Sequence, residues 1–349
     1  MADGGRRVLI TGVSRFLGLR LAKRLAEEGV ADALIGVDLE EPHERVYGLE
    51  FVRVDIRSPL IARVIEATRV DTIVHTNIGS SLTRFGGRAA MKENNVIGTM
   101  QLLAAAQRAA RVAKVIMKSS AAIYGSHPGE PSLVPEDHAG SQVRLSGYGK
   151  DCAEAEAYAR DFGRRRPDVQ LVVLRTQQVI GPTVRTGMTG YLSLPVVPTA
   201  LGYDPRLQLL HEDDAVEAFL RTVTEDCRGI FNVAADGCVY LSQAIRMLGR
   251  VPLPLPLPAA LIGAEALRRS GVIDFAPDQL AVLLYGRVLD TRRAKQGFGF
   301  APTYTTAEAL EDYRDRRTEV PEPEPRPHPT WERELFEYLK RRAALREGV

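Results

Sequence analysis

Apolar residues along this chain fall in short unbroken runs separated by stretches of helical period. The runs VLIT (8–11), ALIGVD (33–38), FVRVD (51–55), TIVHT (72–76), VAKVIMKSS (112–120) and VQLVVLR (169–175) lack the polar alternation of a half-exposed strand. That pattern predicts strands covered on both faces. Between them, Leu17, Leu21 and Leu25 mark one face of a helix over 17–28, and helices are predicted over 59–68, 91–110 and 148–162. Repeated strand–helix alternation predicts an α/β fold, a Rossmann-like doubly wound parallel sheet. The pattern loosens after Gly181-Pro182, where 183–210 is rich in Pro, Gly and Thr. A helix over 213–223, a strand over 229–234 and a helix over 241–248 follow. VPLPLPLP (251–258) then reads as an extended polyproline-like connector whose alternating leucines pack on the domain. A further helix is expected over 259–269, and the pieces PDQLAVLLYGRVLD (277–290) and TTAEALEDYRD (305–315) complete a smaller C-terminal region. PEPEPRPHP (321–329) precedes a last helix whose stripe of Trp331, Leu335 and Leu339 should pack on the body of the protein or on a second subunit. The expected division is a dinucleotide-binding domain over 1–182, with 207–235 returning to its sheet. A smaller C-terminal α/β substrate region spans 183–206 and 236–317, and a linker and helix span 318–349.

Composition narrows the function classes. The 349 residues carry 45% hydrophobic content, enough for a sizeable core, and a net charge of +2. Mixed charges give no electrostatic case for nucleic acid or an anionic membrane surface. Cys152, Cys227 and Cys238 are few, odd in number and widely spaced, which argues for a reducing compartment and against a disulfide framework. His75 and His211 have no third ligand at metal spacing, so no metal is expected. With no apolar leader and no 18-residue apolar stretch, a cytoplasmic protein without a membrane span is the expectation.

VLITGVSRFLG (8–18) is the richest segment: strand, glycine turn, helix start. A helix N-terminus presents free N–H groups and a positive dipole end, which suits a pyrophosphate. Asp38 lies about 20 residues beyond, placed for a ribose 2′-hydroxyl. Arg15 and Phe16 occupy the region where a middle glycine would sit. Ser14-Arg15 could meet the 2′-phosphate of NADP, but the Asp38 carboxylate would repel that phosphate, so NAD is favoured over NADP. Arg15 otherwise reads as a solvent-facing residue that narrows the site.

Further motifs follow in order: Asp55-Ile56-Arg57, His75-Thr76-Asn77, Asn94-Asn95, Ser119-Ser120 before Ala121-Ala122-Ile123-Tyr124-Gly125, Tyr148-Gly149-Lys150-Asp151-Cys152, Arg175-Thr176-Gln177-Gln178, His211-Glu212-Asp213-Asp214 and Arg287-Val288-Leu289-Asp290. This ordered set, over roughly residues 6–315, resembles the extended short-chain dehydrogenase/reductases, the nucleotide-sugar epimerases and dehydratases. The resemblance implies that Gly12, Ser14, Arg15, Phe16, Leu17 and Gly18 cradle the cofactor. Asp38 would hold its ribose, and Asp55 and Ile56 would flank adenine. Asn95 would sit near the phosphates, with Asn77 and Ser119 also on the cofactor. Gln178 and Arg287 would face substrate, Arg287 having an alternative as an interdomain salt-bridge partner. The resemblance also implies a homodimer through the helices at 91–110 and 148–162.

The catalytic motif departs from the family. There, a tyrosine serves as acid/base with a lysine four residues on, and one helical turn sets both on one face. Ser120 and Tyr148 match, but the lysine position is Cys152. Lys150 lies about 200° around the helix and should point away. Cys152 reads as a small apolar residue on a helix face. The family arginine expected four residues before His211 is Leu207, with Arg206 one step off. The leading expectation is an NAD-dependent epimerase, dehydratase or reductase moving a hydride at a carbinol or carbonyl carbon of a small molecule, with a nucleotide sugar as the class implied. Another cation or a water chain must then replace the lysine, and the sequence does not show which. The alternatives are an NAD-binding regulator or scaffold with little or no catalysis, and a lyase using NAD transiently.

Overall fold

The computed structural model describes residues 5–138, 145–271, 273–274, 280–317 and 331–347. Seven parallel strands form the central sheet: β1 (Arg7–Thr11), β2 (Ala33–Asp38), β3 (Leu49–Arg53), β4 (Thr72–His75), β5 (Lys114–Ser120), β6 (Gln170–Thr176) and β7 (Gly229–Val233), in the order β7-β6-β5-β4-β1-β2-β3. The Rossmann-like expectation holds. Alternation along each strand feeds two cores. Leu9, Ile73, Val115, Met117 and Val173 face one layer, whereas Ile10, Val74, Ile116 and Leu174 face the other. The absence of polar alternation in the sequence therefore has its cause: both faces are covered.

The helices used below are α1 (Phe16–Glu27), α2 (Ile61–Thr68), α3 (Thr99–Arg108), α4 (Gly147–Arg165) and α5 (Glu212–Thr224), with α6 (Trp331–Glu347) near the C-terminus. The first layer holds α2, α3 and α4 residues such as Ile61, Leu102 and Cys152. The second holds Leu21 of α1 and Phe219 of α5. On α6, Leu335 is buried in the first core, with Trp331 and Leu339 packed against it, so the predicted stripe lies on the body of the protein.

Two expectations need correction. The helix predicted over 91–110 is three pieces: a short helix Arg88–Lys92, a π-helical turn Glu93–Gly98, then α3. The widened turn lets Asn94 and Asn95 reach back to the loop after β4, while the Thr99 hydroxyl donates to the Asn95 carbonyl at 2.5 Å. VPLPLPLP is not a mere connector. Val251–Leu255 is a strand paired in parallel with Val196–Ala200. Its leucines do not all pack on the domain, because Leu253 stands 44% exposed. Backbone pairing, not leucine burial, holds it. The proline-rich stretch 318–330 lies outside the described residues. Among the described residues no helix is long and apolar enough to cross a membrane.

Candidate active site

The carboxyl ends of β1, β2, β3 and β4 define a groove, and the glycine turn is its floor. Gly12 has φ +75°, a left-handed conformation that favours glycine, and a Cβ there would come within 3.0 Å of the Asn77 backbone. A Cβ on Gly18 would collide with the Gly12 carbonyl. These two glycines let β1 pass into α1 beneath the β4 loop, with the α1 N-terminus facing the groove. Phe16 and Leu17 form its first turn, and Leu17 packs against the second core. The missing middle glycine does not open this turn.

Asp38 ties the turn to β2. Its Oδ2 accepts from the Ser14 hydroxyl at 2.5 Å and the Ser14 N–H at 3.2 Å, and its Oδ1 accepts from the Leu39 N–H at 2.8 Å. Arg15 is not solvent-facing, which corrects that reading. Its guanidinium stacks 4.2 Å from the centre of the Phe85 ring, and burial pulls its pKa down to about 10. Ser14, Arg15, Asp38, Asp55, Ile56 and Asn77 line one cavity of about 300 Å³. Asp55 is held there by a two-pronged contact from the Arg57 guanidinium, at 2.6 Å to 3.0 Å. Two buried atoms in this groove, Arg15 Nε and Asn77 Oδ1, have no hydrogen-bond partner among the described residues. A groove floored by glycines, with a helix N-terminus and an unpartnered donor and acceptor, fits a dinucleotide.

Two side chains expected on the cofactor are engaged within the fold. The Asn95 side chain is fully buried and grips one residue of the β4 loop, accepting from the Gly79 N–H at 3.1 Å and donating to the Gly79 carbonyl at 2.9 Å. It shapes the loop over the groove. Ser119 is also fully buried, its hydroxyl donating to Glu156 Oε1 at 2.6 Å on α4. Strand alternation turns Ser119 toward the helix layer and Ser120 the other way.

Ser120 caps the short 3-10 turn Ala121–Tyr124, accepting from the Ala122 N–H at 3.2 Å. That turn presses on the start of α4, where a Cβ on Gly149 would fall 2.6 Å from the Ala122 carbonyl. Ser120 and the Tyr148 end of α4 are thereby brought together. Tyr148 is 3% exposed, and its hydroxyl shares a hydrogen bond with the Cys152 thiol. Burial pushes that thiol up to about 12, so it stays protonated and inert. Lys150 is exposed, pointing away as its spacing requires.

One residue escaped the sequence reading. Lys118, part-buried on β5, donates from Nζ to the Ile78 carbonyl at 2.6 Å, and desolvation by burial lowers its pKa to about 8. It stands two residues before Ser120, directly after the apolar run Val115–Met117, the signal that could have marked it.

Gln178 and Arg287 do converge, lining a cavity of about 180 Å³ with Ala122, Gly125 and Ser146. Arg287 Nη1 donates to the Gly125 carbonyl at 2.7 Å. Arg206 and Arg287 together line an adjoining cavity of about 130 Å³, whereas Leu207 is buried in the C-terminal core. His75 and His211 are structural. The first bonds Thr11 at 2.7 Å and Thr99 at 2.9 Å, and the second bonds Asp312 at 3.0 Å.

The seven-stranded parallel sheet with this glycine turn defines a Rossmann-like protein of the extended short-chain dehydrogenase/reductase class. The profile of the NAD dependent epimerase/dehydratase family matches residues 8–234, and the chain belongs to that family. An uncharacterised protein of Mycobacterium tuberculosis is 43% identical over 330 residues, covering 93% of this chain and 88% of the relative. A UDP-glucose 4-epimerase of Azospirillum brasilense is 28% identical over 226 residues, 59% of this chain and 60% of the relative. Among solved structures, the fold is similar to a UDP-glucose 4-epimerase from Thermotoga maritima with UDP-glucose (TM-score 0.68, 20% identity, 89% of this chain and 98% of that one). It is also similar to a UDP-glucuronic acid 4-epimerase from Bacillus cereus with NAD (TM-score 0.67, 18% identity, 89% and 98%).

Proposed function

We propose that this chain is an NAD-dependent epimerase, dehydratase or reductase acting on a nucleotide sugar. The observation that carries the reading is the glycine-floored groove, with Arg15 Nε and Asn77 Oδ1 unpartnered in it. Gly12, Gly18, Ser14 and Arg15 would hold the pyrophosphate and Asp38 the adenosine ribose. NAD, when bound, supplies the hydride acceptor. Ser120 orients the substrate oxygen through its hydroxyl, and Tyr148 exchanges that oxygen's proton. Arg206 and Arg287 present fixed positive charge to their shared cavity, suited to a diphosphate. We assign residues 183–206 and 236–317 to the substrate side. A homodimer through the 91–110 and 148–162 segments is supported by Ile97 and Tyr158, which stand 39% and 38% exposed there.

Calorimetric titration with NAD, NADH and NADPH tests the cofactor. The Asp38 carboxylate beside a 2′-phosphate should make NADPH bind about tenfold or more weakly than NADH. Equal or tighter NADPH binding would overturn the ribose role of Asp38, and no binding of any dinucleotide would overturn the whole reading. The second reading, a cofactor-binding regulator with little turnover, draws on the Tyr148 hydroxyl being occupied by Cys152. A nicotinamide absorbance change with UDP-sugars separates the two.

A further inference from the structure

We propose that Lys118 supplies, from strand β5, the positive charge that other members of the family take from the helix position occupied here by Cys152. It is a positioning residue for Tyr148 and for the dinucleotide, and the inference rests on the function proposed above. Side chains two apart on a strand share a face, so Lys118 projects with Ser120 and away from Met117 and Ser119, which turn toward α4. Its ammonium is fixed on the Ile78 carbonyl at 2.6 Å, in the loop that Asn94 and Asn95 hold over the glycine turn. From there it lies within electrostatic reach of Cys152, whose thiol shares a hydrogen bond with the Tyr148 hydroxyl. A thiol is several atoms shorter than a lysine side chain, and the strand lysine brings charge to the region that this shortening vacates.

A structural role explains Lys118 poorly. Lys114, at the other end of the same strand, donates to two carbonyls, Thr222 at 2.7 Å and Glu225. Lys118 has one oxygen partner among the described residues and no carboxylate. A part-buried cation without a counter-ion costs stability, and such groups collect at functional sites. The charge is useful where an anion forms or binds: a phenolate on Tyr148, or the phosphates of the cofactor. The titratable groups facing it are Arg15 from the turn after β1, His75 from β4 and Cys152 from α4. His75 at about 3 and Cys152 at about 12 change charge well outside the interval in which Lys118, at about 8, loses its proton, and Arg15, at about 10, begins to do so only at its upper edge.

The experiment is a fluorescence titration of NADH into the full chain between about pH 6.5 and 9.5, for the wild type, Lys118→Met and Lys118→Arg. The wild type should lose about tenfold in affinity as pH rises through the Lys118 transition. Lys118→Met should bind at least about fivefold more weakly at neutral pH, with a flat profile. Lys118→Arg should keep the neutral-pH affinity and stay flat, because its charge persists. Where UDP-sugar turnover is measured, kcat should fall in Lys118→Met and recover in Lys118→Arg. A Lys118→Met protein that binds NADH within twofold of wild type and keeps its pH slope overturns the assignment while leaving the dinucleotide reading intact. A wild type that binds no NADH at any pH overturns both, an outcome the variants cannot mimic.

Discussion

At the scale of single residues, one substitution in the tyrosine motif has consequences on two elements. Cys152 takes the cation out of α4, and Lys118 puts one in from β5, so a lysine restored at 152 would meet a charge already there. Cys152→Lys alone should therefore add no activity. It should lower Tm by several degrees, because two ammoniums would share one poorly solvated space. The swap Lys118→Ser/Cys152→Lys should restore Tm and the neutral-pH NADH affinity, and a melt of the three proteins checks this. Lys118 also leaves a signature in stability. Its folded pKa of about 8 lies below the ordinary lysine value. Between the two values the unfolded chain binds more protons, so this group makes the fold more stable as pH rises through that window. Lys118→Met should be as stable as wild type or more so at pH 7. Its Tm should also rise less than the wild type's between about pH 8 and 10.

At the scale of elements, what the sequence discloses depends on how local the signal is. All seven strands of the sheet lie in apolar runs, because burial on both faces writes itself into each strand separately. The α6 stripe was legible for the same reason: Leu335 and its neighbours face one core. The π-helical turn was not legible, because 91–110 has an unbroken helical period and the break comes from a tertiary demand, the grip of Asn95 on Gly79. The Ser119–Glu156 bond was not legible for a related reason. A serine pair at a strand end looks alike in sequence, and only alternation against α4 sends Ser119 to Glu156 and turns Ser120 to the opposite face, where it caps the following turn. These elements make separable predictions. Leu335→Ala should cost about 2–4 kcal/mol in denaturant melts by leaving a cavity beneath α6. It should leave NADH affinity unchanged, since α6 packs on α2 and β3, away from the glycine turn. Asn95→Ala should do both kinds of damage, because the freed Gly79 N–H and carbonyl belong to the loop over the groove. A loss of about 1–3 kcal/mol with weakened NADH binding is the expected pair of results.

At the scale of the whole molecule, the loop after β4 is held from two sides. The dinucleotide half holds it through Asn94 and Asn95, and the C-terminal region reaches it through Asp274. The Asp274 carboxylate accepts from the Leu82 N–H at 3.0 Å, the Thr83 hydroxyl at 2.7 Å and the Ser81 hydroxyl. The short helix those bonds anchor, Leu82–Phe85, carries the ring on which Arg15 stacks. A contact made by the C-terminal region is thus connected, through Phe85, to the arginine at the glycine turn. Two sites joined by one packed segment should influence each other's affinity equally in both directions, as thermodynamic linkage requires. Asp274→Ala removes the connection without touching either cavity. Each ligand alone should then bind within about threefold of its wild-type affinity, while the enhancement of NADH binding by a saturating UDP-sugar should shrink toward one. Calorimetric titration of NADH with and without the UDP-sugar measures that ratio directly. An enhancement equal in wild type and variant would show that the halves communicate by another route.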